Sequence, residues 1–379
     1  MSTALKCLAG GALIAAFAAH AEGGPGSFDR YSYSNDAGTR TYKVYVPPAY
    51  SGAPLPLLVE LHGCSSDADE EARWSRFNEL AAARGMLVAY PEQDSNANGS
   101  GCWNWFLPDD QSRDAGEPSL IAGITRAVMA RWSVDARRVY VGGISAGGAM
   151  SNIVAVTYPD IYAAAMVYAG CEYKGETCTG GLGALPGDIS GQMAYQAMGA
   201  HARVVPVLVI QGDTDPLVPY PNAELIVQQF LASDDWADDG AHNASVATAA
   251  ASTRSGMKPG GRSYSVDDYV DAGGCLLAER WLIQGMGHMW SNAPSDGSPR
   301  DLALTDPSGP DISAPALDFF LAHPMPGQGV GCNQVNVPAP PVFAVGGGSG
   351  GGALALWAML PLLTAAGWLR DRRRPRRRR

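Results

Sequence analysis

The sequence predicts an α/β fold, with a mostly parallel central sheet and helices on both faces. Two observations carry this. Short apolar runs alternate with longer segments of helical pattern, the order that a parallel sheet with crossover helices imposes. At 138–156 one such run passes through a tight Gly-rich turn straight into a helical segment. Composition agrees: 46% of the 379 residues are hydrophobic and 17% charged, enough for a large core and too apolar for a disordered chain.

Strands are expected at 42–46, 55–61, 86–90, 139–142, 163–168, 204–210 and 279–283. Helical segments at 70–84 and 120–131 lie between strands, 146–156 follows the fourth strand, 222–232 follows the sixth, and 314–321 closes the series. The stretch 233–262 is polar and rich in small residues, with the acidic run Asp234-Asp235-Trp236-Ala237-Asp238-Asp239. Its spacing does not fit an EF-hand, so a solvated surface loop is expected and no metal. No internal repeat is present, and residues 25–335 form one domain.

Both ends read as targeting segments. Lys6, the apolar run 8–18 and the small-x-small site Ala19-His20-Ala21 make residues 1–21 a signal peptide, removed by signal peptidase. At the other end, 336–352 is a Pro/Gly-rich linker. Residues 353–379 join an apolar run, at the low limit for a membrane-spanning helix, to an arginine block expected to stay cytoplasmic. This tail resembles the GlyGly-CTERM sorting signals of Gram-negative bacteria. The resemblance implies processing by a rhombosortase-type protease, with a permanent anchor as the alternative, so membrane contact is either transient or lasting. The chain is expected to be secreted or held at the cell surface.

A formal net charge of −10 argues against a nucleic-acid partner. Of seven cysteines, Cys7 leaves with the leader. Cys64, Cys102, Cys171, Cys178, Cys275 and Cys332 remain, an even set that fits disulfides in an oxidising compartment, with fifteen connectivities open. No C-x-x-C pair or His/Cys cluster suggests zinc.

Gly143-Ile144-Ser145-Ala146-Gly147 matches the G-x-S-x-G turn that presents a nucleophilic serine between a strand and a helix. A serine hydroxyl needs a base, and the base an orienting acid. In such folds acid and then histidine follow the serine, each after a later strand. His288, directly after the strand at 279–283, is the expected base. After the strand at 204–210 comes Gly212-Asp213-Thr214-Asp215-Pro216-Leu217-Val218-Pro219. Asp215 is the expected acid, and Asp213 the turn-shaping residue. An oxyanion hole needs two N–H groups. Ala146, next to the nucleophile, supplies one, and Cys64, in Leu61-His62-Gly63-Cys64 after an earlier strand, the other. His62 then shapes that loop.

His62-Gly63-Cys64, Cys102-Trp103-Asn104-Trp105-Phe106, the segment 139–150, the Asp215 motif and Gly287-His288-Met289-Trp290-Ser291 together resemble the poly(3-hydroxybutyrate) depolymerase family of esterases. That family also includes feruloyl and acetylxylan esterases. The resemblance covers about residues 40–321 and implies an α/β-hydrolase fold, a Ser145–Asp215–His288 triad and a Cys64–Cys102 disulfide. For the remaining cysteines, Cys171–Cys178 and Cys275–Cys332 are then the candidate pairs. Two departures stand out: Gln211 where many members carry histidine, and Ser291-Asn292 in place of a serine-glycine-glycine run. Both are expected to alter the pocket and leave the triad alone.

The chemistry implied is acyl transfer through Ser145, with no cofactor. Trp103, Trp105 and Trp290 are candidates for a substrate wall, with core packing as the alternative for each. Three readings follow. One is an exported esterase acting on short-chain polyhydroxyalkanoate or its oligomers. Another is a feruloyl or acetylxylan esterase acting on plant polysaccharide, a reading unaffected by the lack of a recognisable polymer-binding domain after Cys332. The third, a non-catalytic surface binding protein, sits poorly with a full triad.

Overall fold

The computed structural model describes residues 24, 26–179 and 184–326. The expected signal peptide, linker and tail, and Cys332, lie outside them. Strands β1 (Phe28–Asn35), β2 (Gly38–Tyr45), β3 (Leu55–Leu61) and β4 (Leu87–Pro91) come first. Helices α1 (Ala68–Ser75) and α2 (Phe77–Arg84) lie between β3 and β4. Then follow α3 (Gly116–Arg131), β5 (Val134–Gly143), α4 (Ala146–Thr157), β6 (Ala164–Tyr168), α5 (Gly187–Met198), β7 (Val207–Gly212) and α6 (Pro221–Asp239). The chain continues through β8 (Ser252–Met257), β9 (Ser263–Val270), β10 (Leu276–Ile283), β11 (Trp290–Ser291), α7 (Pro299–Leu304), β12 (Thr305–Asp306) and α8 (Ser313–Ala322).

One sheet runs in the order β1-β2-β4-β3-β5-β6-β7-β10-β9-β8. Its middle, from β4 to β10, is parallel, and antiparallel strands form both margins. Every residue of β4, β6 and β7 is buried, as expected for parallel strands covered on both faces. One core layer sets α3, α4, α5 and α6 against the sheet through residues such as Ile121, Met150, Ala194 and Phe230. The other sets α1, α2 and α8 against the opposite face through Trp74, Phe77 and Phe320. The α/β class and the doubly covered sheet are therefore as expected.

Two expectations need correction. The helix expected at 70–84 is two helices, because Arg76 takes a left-handed conformation (φ 57°) between them. The loop expected from 233 is still helix through Asp239, and the first half of its acidic run is buried, while Asp238 and Asp239 face solvent. Asp234 and Asp235 are 0% and 2% exposed. Asp234 accepts the Val205 N–H, and Asp235 accepts the Val246 and Ala244 N–H groups and the Ser245 hydroxyl. These carboxylates fasten the neighbouring chain to α6, and the sequence then enters the edge hairpin β8–β9.

Candidate active site

Parallel strands deliver their carboxyl ends to one edge of the sheet, where ligands bind in folds of this type. Ser145 follows β5 at that edge with φ 60° and ψ −123°, a strained conformation for a residue with a side chain. The turn is held by glycine. A Cβ on Gly147 would lie 2.0 Å from the Leu61 carbonyl oxygen, and one on Gly143 would lie 2.6 Å from the same oxygen. Backbone cannot yield by that much, so the close approach of β3 to the turn requires both glycines.

Asp215 follows β7 and His288 follows β10, the neighbouring strand. His288 Nδ1–H donates to Asp215 Oδ2 at 2.6 Å; the Asp215 side chain is fully buried and that of His288 is 11% exposed. Asp215 Oδ2 also accepts Gln211 Nε2–H at 3.0 Å, and Oδ1 accepts the Leu217 and Val218 N–H groups. Burial pushes the Asp215 carboxyl up, but the hydrogen bonds from His288, Val218 and Leu217 outweigh it, and the pKa lies below the ordinary carboxylate value. Among the described residues no hydrogen bond joins Ser145 Oγ to His288. Asp213 serves the turn: its carboxylate accepts the Gly285 N–H at 2.6 Å.

The loop after β3 lies against the serine, since a Cβ on Gly63 would be 3.4 Å from Ser145 Cβ. His62 is buried and neutral-leaning, because burial lowers its pKa more than its Gly63 contact raises it. Its Nδ1–H donates to the Gly63 carbonyl, and its Nε2 accepts the Gln93 N–H. That pattern fixes one tautomer and shapes the loop rather than serving as a base. Among the described residues, neither the Cys64 nor the Ala146 N–H has a hydrogen-bond acceptor. Cys64 is joined to Cys102 and Cys171 to Cys178. Cys275 is also disulfide-bonded. These bonds fit an oxidising compartment.

Of the three tryptophans expected at the substrate wall, two are corrected. Trp103 and Trp290 are 0% exposed, Trp103 in the layer of α3 and α4, and Trp290 in the opposite layer with its Nε1–H on Ser313. Trp105 is half-buried, packs on Ala149, Cys171 and Cys178, and meets exposed Phe106 edge-on. Gln211, expected from sequence to alter the pocket, is instead a buried support for Asp215. The signal was available: a polar residue ending an apolar, fully buried strand needs a partner. Among the described residues, no group of three or more His, Cys, Asp or Glu is disposed to hold a metal ion.

The chain matches the family described as Esterase PHB depolymerase over residues 40–259. Poly(3-hydroxyalkanoate) depolymerase C of Paucimonas lemoignei is 32% identical over 66% of this chain and 59% of its own length. Feruloyl esterase B of Neurospora crassa is 30% identical over 51% of this chain and 68% of its own. The chain thus spans about three-fifths of the first relative's length. The acetyl xylan esterase from Aspergillus awamori superposes with a TM-score of 0.58 at 21% identity, covering 69% of this chain and 94% of that one, a likeness of fold. With the family match spanning more than half its length, this chain belongs to the PHB depolymerase family of esterases and carries the α/β-hydrolase fold.

Proposed function

We propose that this protein is an exported serine esterase that cleaves carboxylic esters, with short-chain polyhydroxyalkanoate or its oligomers as substrate. The observation that carries the reading is the Asp215–His288 hydrogen bond at 2.6 Å, with the strained Ser145 turn at the same edge of the sheet. Ser145 Oγ attacks the ester carbonyl carbon and gives its proton to His288 Nε2. The Cys64 and Ala146 N–H groups, which have no other acceptor among the described residues, hold the developing oxyanion. The C–O bond to the alcohol breaks as His288 returns the proton to it. Water then attacks the acyl group, His288 takes its proton, and the acid leaves with Ser145 restored. Asp215 holds the ring through Nδ1 throughout, leaving Nε2 to take up and return each proton. The disulfides and the leader pattern at 1–21 support export.

A second reading, a feruloyl or acetylxylan esterase, is favoured by the relative from Neurospora crassa. Trp105, with Phe106 beside it, offers an aromatic surface suited to either substrate. The test compares the purified protein on polyhydroxybutyrate granules and on methyl ferulate, with Ser145→Ala as blank. Granule clearing that Ser145→Ala abolishes supports the first reading. Ferulate release over intact granules moves the substrate to plant polysaccharide. Failure of an active-serine phosphonate to label Ser145 would return the chain to a non-catalytic binding role.

A further inference from the structure

We infer that Tyr168 is a positioning residue that sets His288 against Ser145, an inference resting on the triad reading above. Tyr168 ends β6, the strand between the one that carries Ser145 and the one that carries Asp215. Its main-chain carbonyl accepts the Ser145 N–H at 2.9 Å, and Ile144 bridges to it in parallel register. Its side chain crosses to the other partner. The hydroxyl donates to the Met289 carbonyl at 2.5 Å and accepts the Ser291 N–H at 3.0 Å. Those two groups follow His288 on its C-terminal side. One residue therefore grips the nucleophile turn through its backbone and the histidine loop through its phenol.

The ring has little freedom. Tyr168 is 0% exposed, and its edge meets Trp290 with centroids 5.2 Å apart. Burial, the largest influence, raises the phenol pKa far beyond the ordinary range, so the proton stays available to Met289. Asp215 fixes the imidazole of His288 through Nδ1, which sets the tautomer and the direction of Nε2. The position of the whole ring relative to Ser145 depends on where residues 288–291 run. The β11–β12 pairing and the Asn292 N–H bond to Asp306 hold that loop from its far side, and Tyr168 holds it from the sheet.

Tyr168→Phe keeps the ring and removes the hydroxyl, leaving the Met289 carbonyl and Ser291 N–H without that partner. With active sites counted by phosphonate titration, kcat per titrated site on a soluble p-nitrophenyl ester is expected to fall about 10- to 100-fold, since a reacting group displaced by about 1 Å loses that much. KM should stay within about twofold, because the residue does not touch substrate. Tyr140→Phe is the control: it removes a buried hydroxyl that has no hydrogen-bond partner among the described residues, on β5 and stacked on Phe320, and kcat should be unchanged. A Tyr168→Phe enzyme with a lowered melting temperature but wild-type kcat per titrated site would overturn the inference, making the hydroxyl a strut of the fold. Should the variant not fold, amide exchange in the wild-type protein decides. A Ser291 N–H as protected as the amides of β6 supports the clamp, and one that exchanges freely overturns it. Loss of the triad reading itself would show separately, as activity retained by Ser145→Ala.

Discussion

Replacing Asp215 by asparagine exchanges one carboxylate oxygen for an NH2 group, and the consequence follows from the four donors around it. Leu217 and Val218 point their N–H groups at Oδ1, at 2.8 and 2.9 Å. The oxygen of the new amide must stay there, or two buried donors lose their acceptor. The amide NH2 then takes the place of Oδ2, where it faces His288 Nδ1 and Gln211 Nε2. Nδ1 is obliged to accept, so the ring proton moves to Nε2, the nitrogen that receives the proton of Ser145 in the proposed mechanism. Enzymes locked in this wrong tautomer lose about 10⁴ in kcat, about 5 kcal/mol of barrier at about 1.4 kcal/mol per decade. The assay is steady-state hydrolysis of a p-nitrophenyl ester, with phosphonate labelling of Ser145 followed in parallel; kcat should collapse and KM change little. Asp213→Asn is the companion, since its amide oxygen still accepts the Gly285 N–H, and it should stay within about threefold of wild type. A loss below about tenfold for Asp215→Asn, or a larger loss for Asp213→Asn, would refute the assignment of the acid. The two variants also differ in acid. The depressed carboxyl of Asp215 contributes stability above the ordinary carboxylate pKa, and that contribution is lost as pH falls through its lower folded value. The stability gap between wild type and Asp215→Asn should therefore narrow in acid.

Three further outcomes are expected. Gly147→Ala should destabilise by about 3 kcal/mol or more, because the new Cβ meets the Leu61 carbonyl at 2.0 Å; an unchanged urea midpoint would contradict the close packing of β3 on the turn. Burial, and then Glu70, push the Glu71 carboxyl up to about 8, and among the described residues none of its oxygens or those of Glu60 has a hydrogen-bond partner. A raised acid means the native state holds a proton that the unfolded chain releases, so stability falls from the ordinary carboxylate range up to about pH 8 by at most about 1.4 kcal/mol per unit. Urea titrations of Glu71→Gln across that window should show a shallower decline, and an equally steep one would refute the assignment. Trp105→Ala should raise KM for aromatic esters several-fold with kcat nearly intact, whereas Trp103→Ala should cost about 3–5 kcal/mol of stability; the reverse pattern would exchange their roles.

What the sequence made legible follows from how strongly each feature constrains residue type. The parallel strands β3, β4, β6 and β7 are covered on both faces, so they stand out as apolar runs. β1 and β8 are half-exposed edge strands, and their sequences FDRYSYSN and STRSGM alternate polar with other residues in a way that resembles loop. The acidic end of α6 misled for a related reason. Charge predicts solvent, yet the Asp235 carboxylate accepts the Val246 and Ala244 N–H groups, contacts that exist only once the chain has folded back.

The site shows the same division. The Ser145 turn and its glycines stand out in sequence because the strained turn excludes almost any other residues, and the contact of Asp215 with His288 is one that chemistry and chain order lead one to expect. The orientation of Trp103 and Trp290 was not legible, since an aromatic residue beside a catalytic motif is equally suited to either side of the backbone. Burial was decided by neighbours far away in the chain: Ser313 receives the Trp290 Nε1–H, and Tyr168 meets its ring. Polar residues inside apolar strands were the under-used signal. Gln211 at the end of β7 and Glu60 near the end of β3 look alike in sequence, and both are fully buried. Gln211 finds Asp215 and Val218 and so braces the Asp215 carboxylate. Glu60 finds no hydrogen-bond partner among the described residues, and burial together with Glu71 raises its pKa well above normal, which disfavours its charged form. One pattern, a lone polar residue in a buried strand, therefore demands a partner or a proton, and only the packing of the neighbouring elements decides between them.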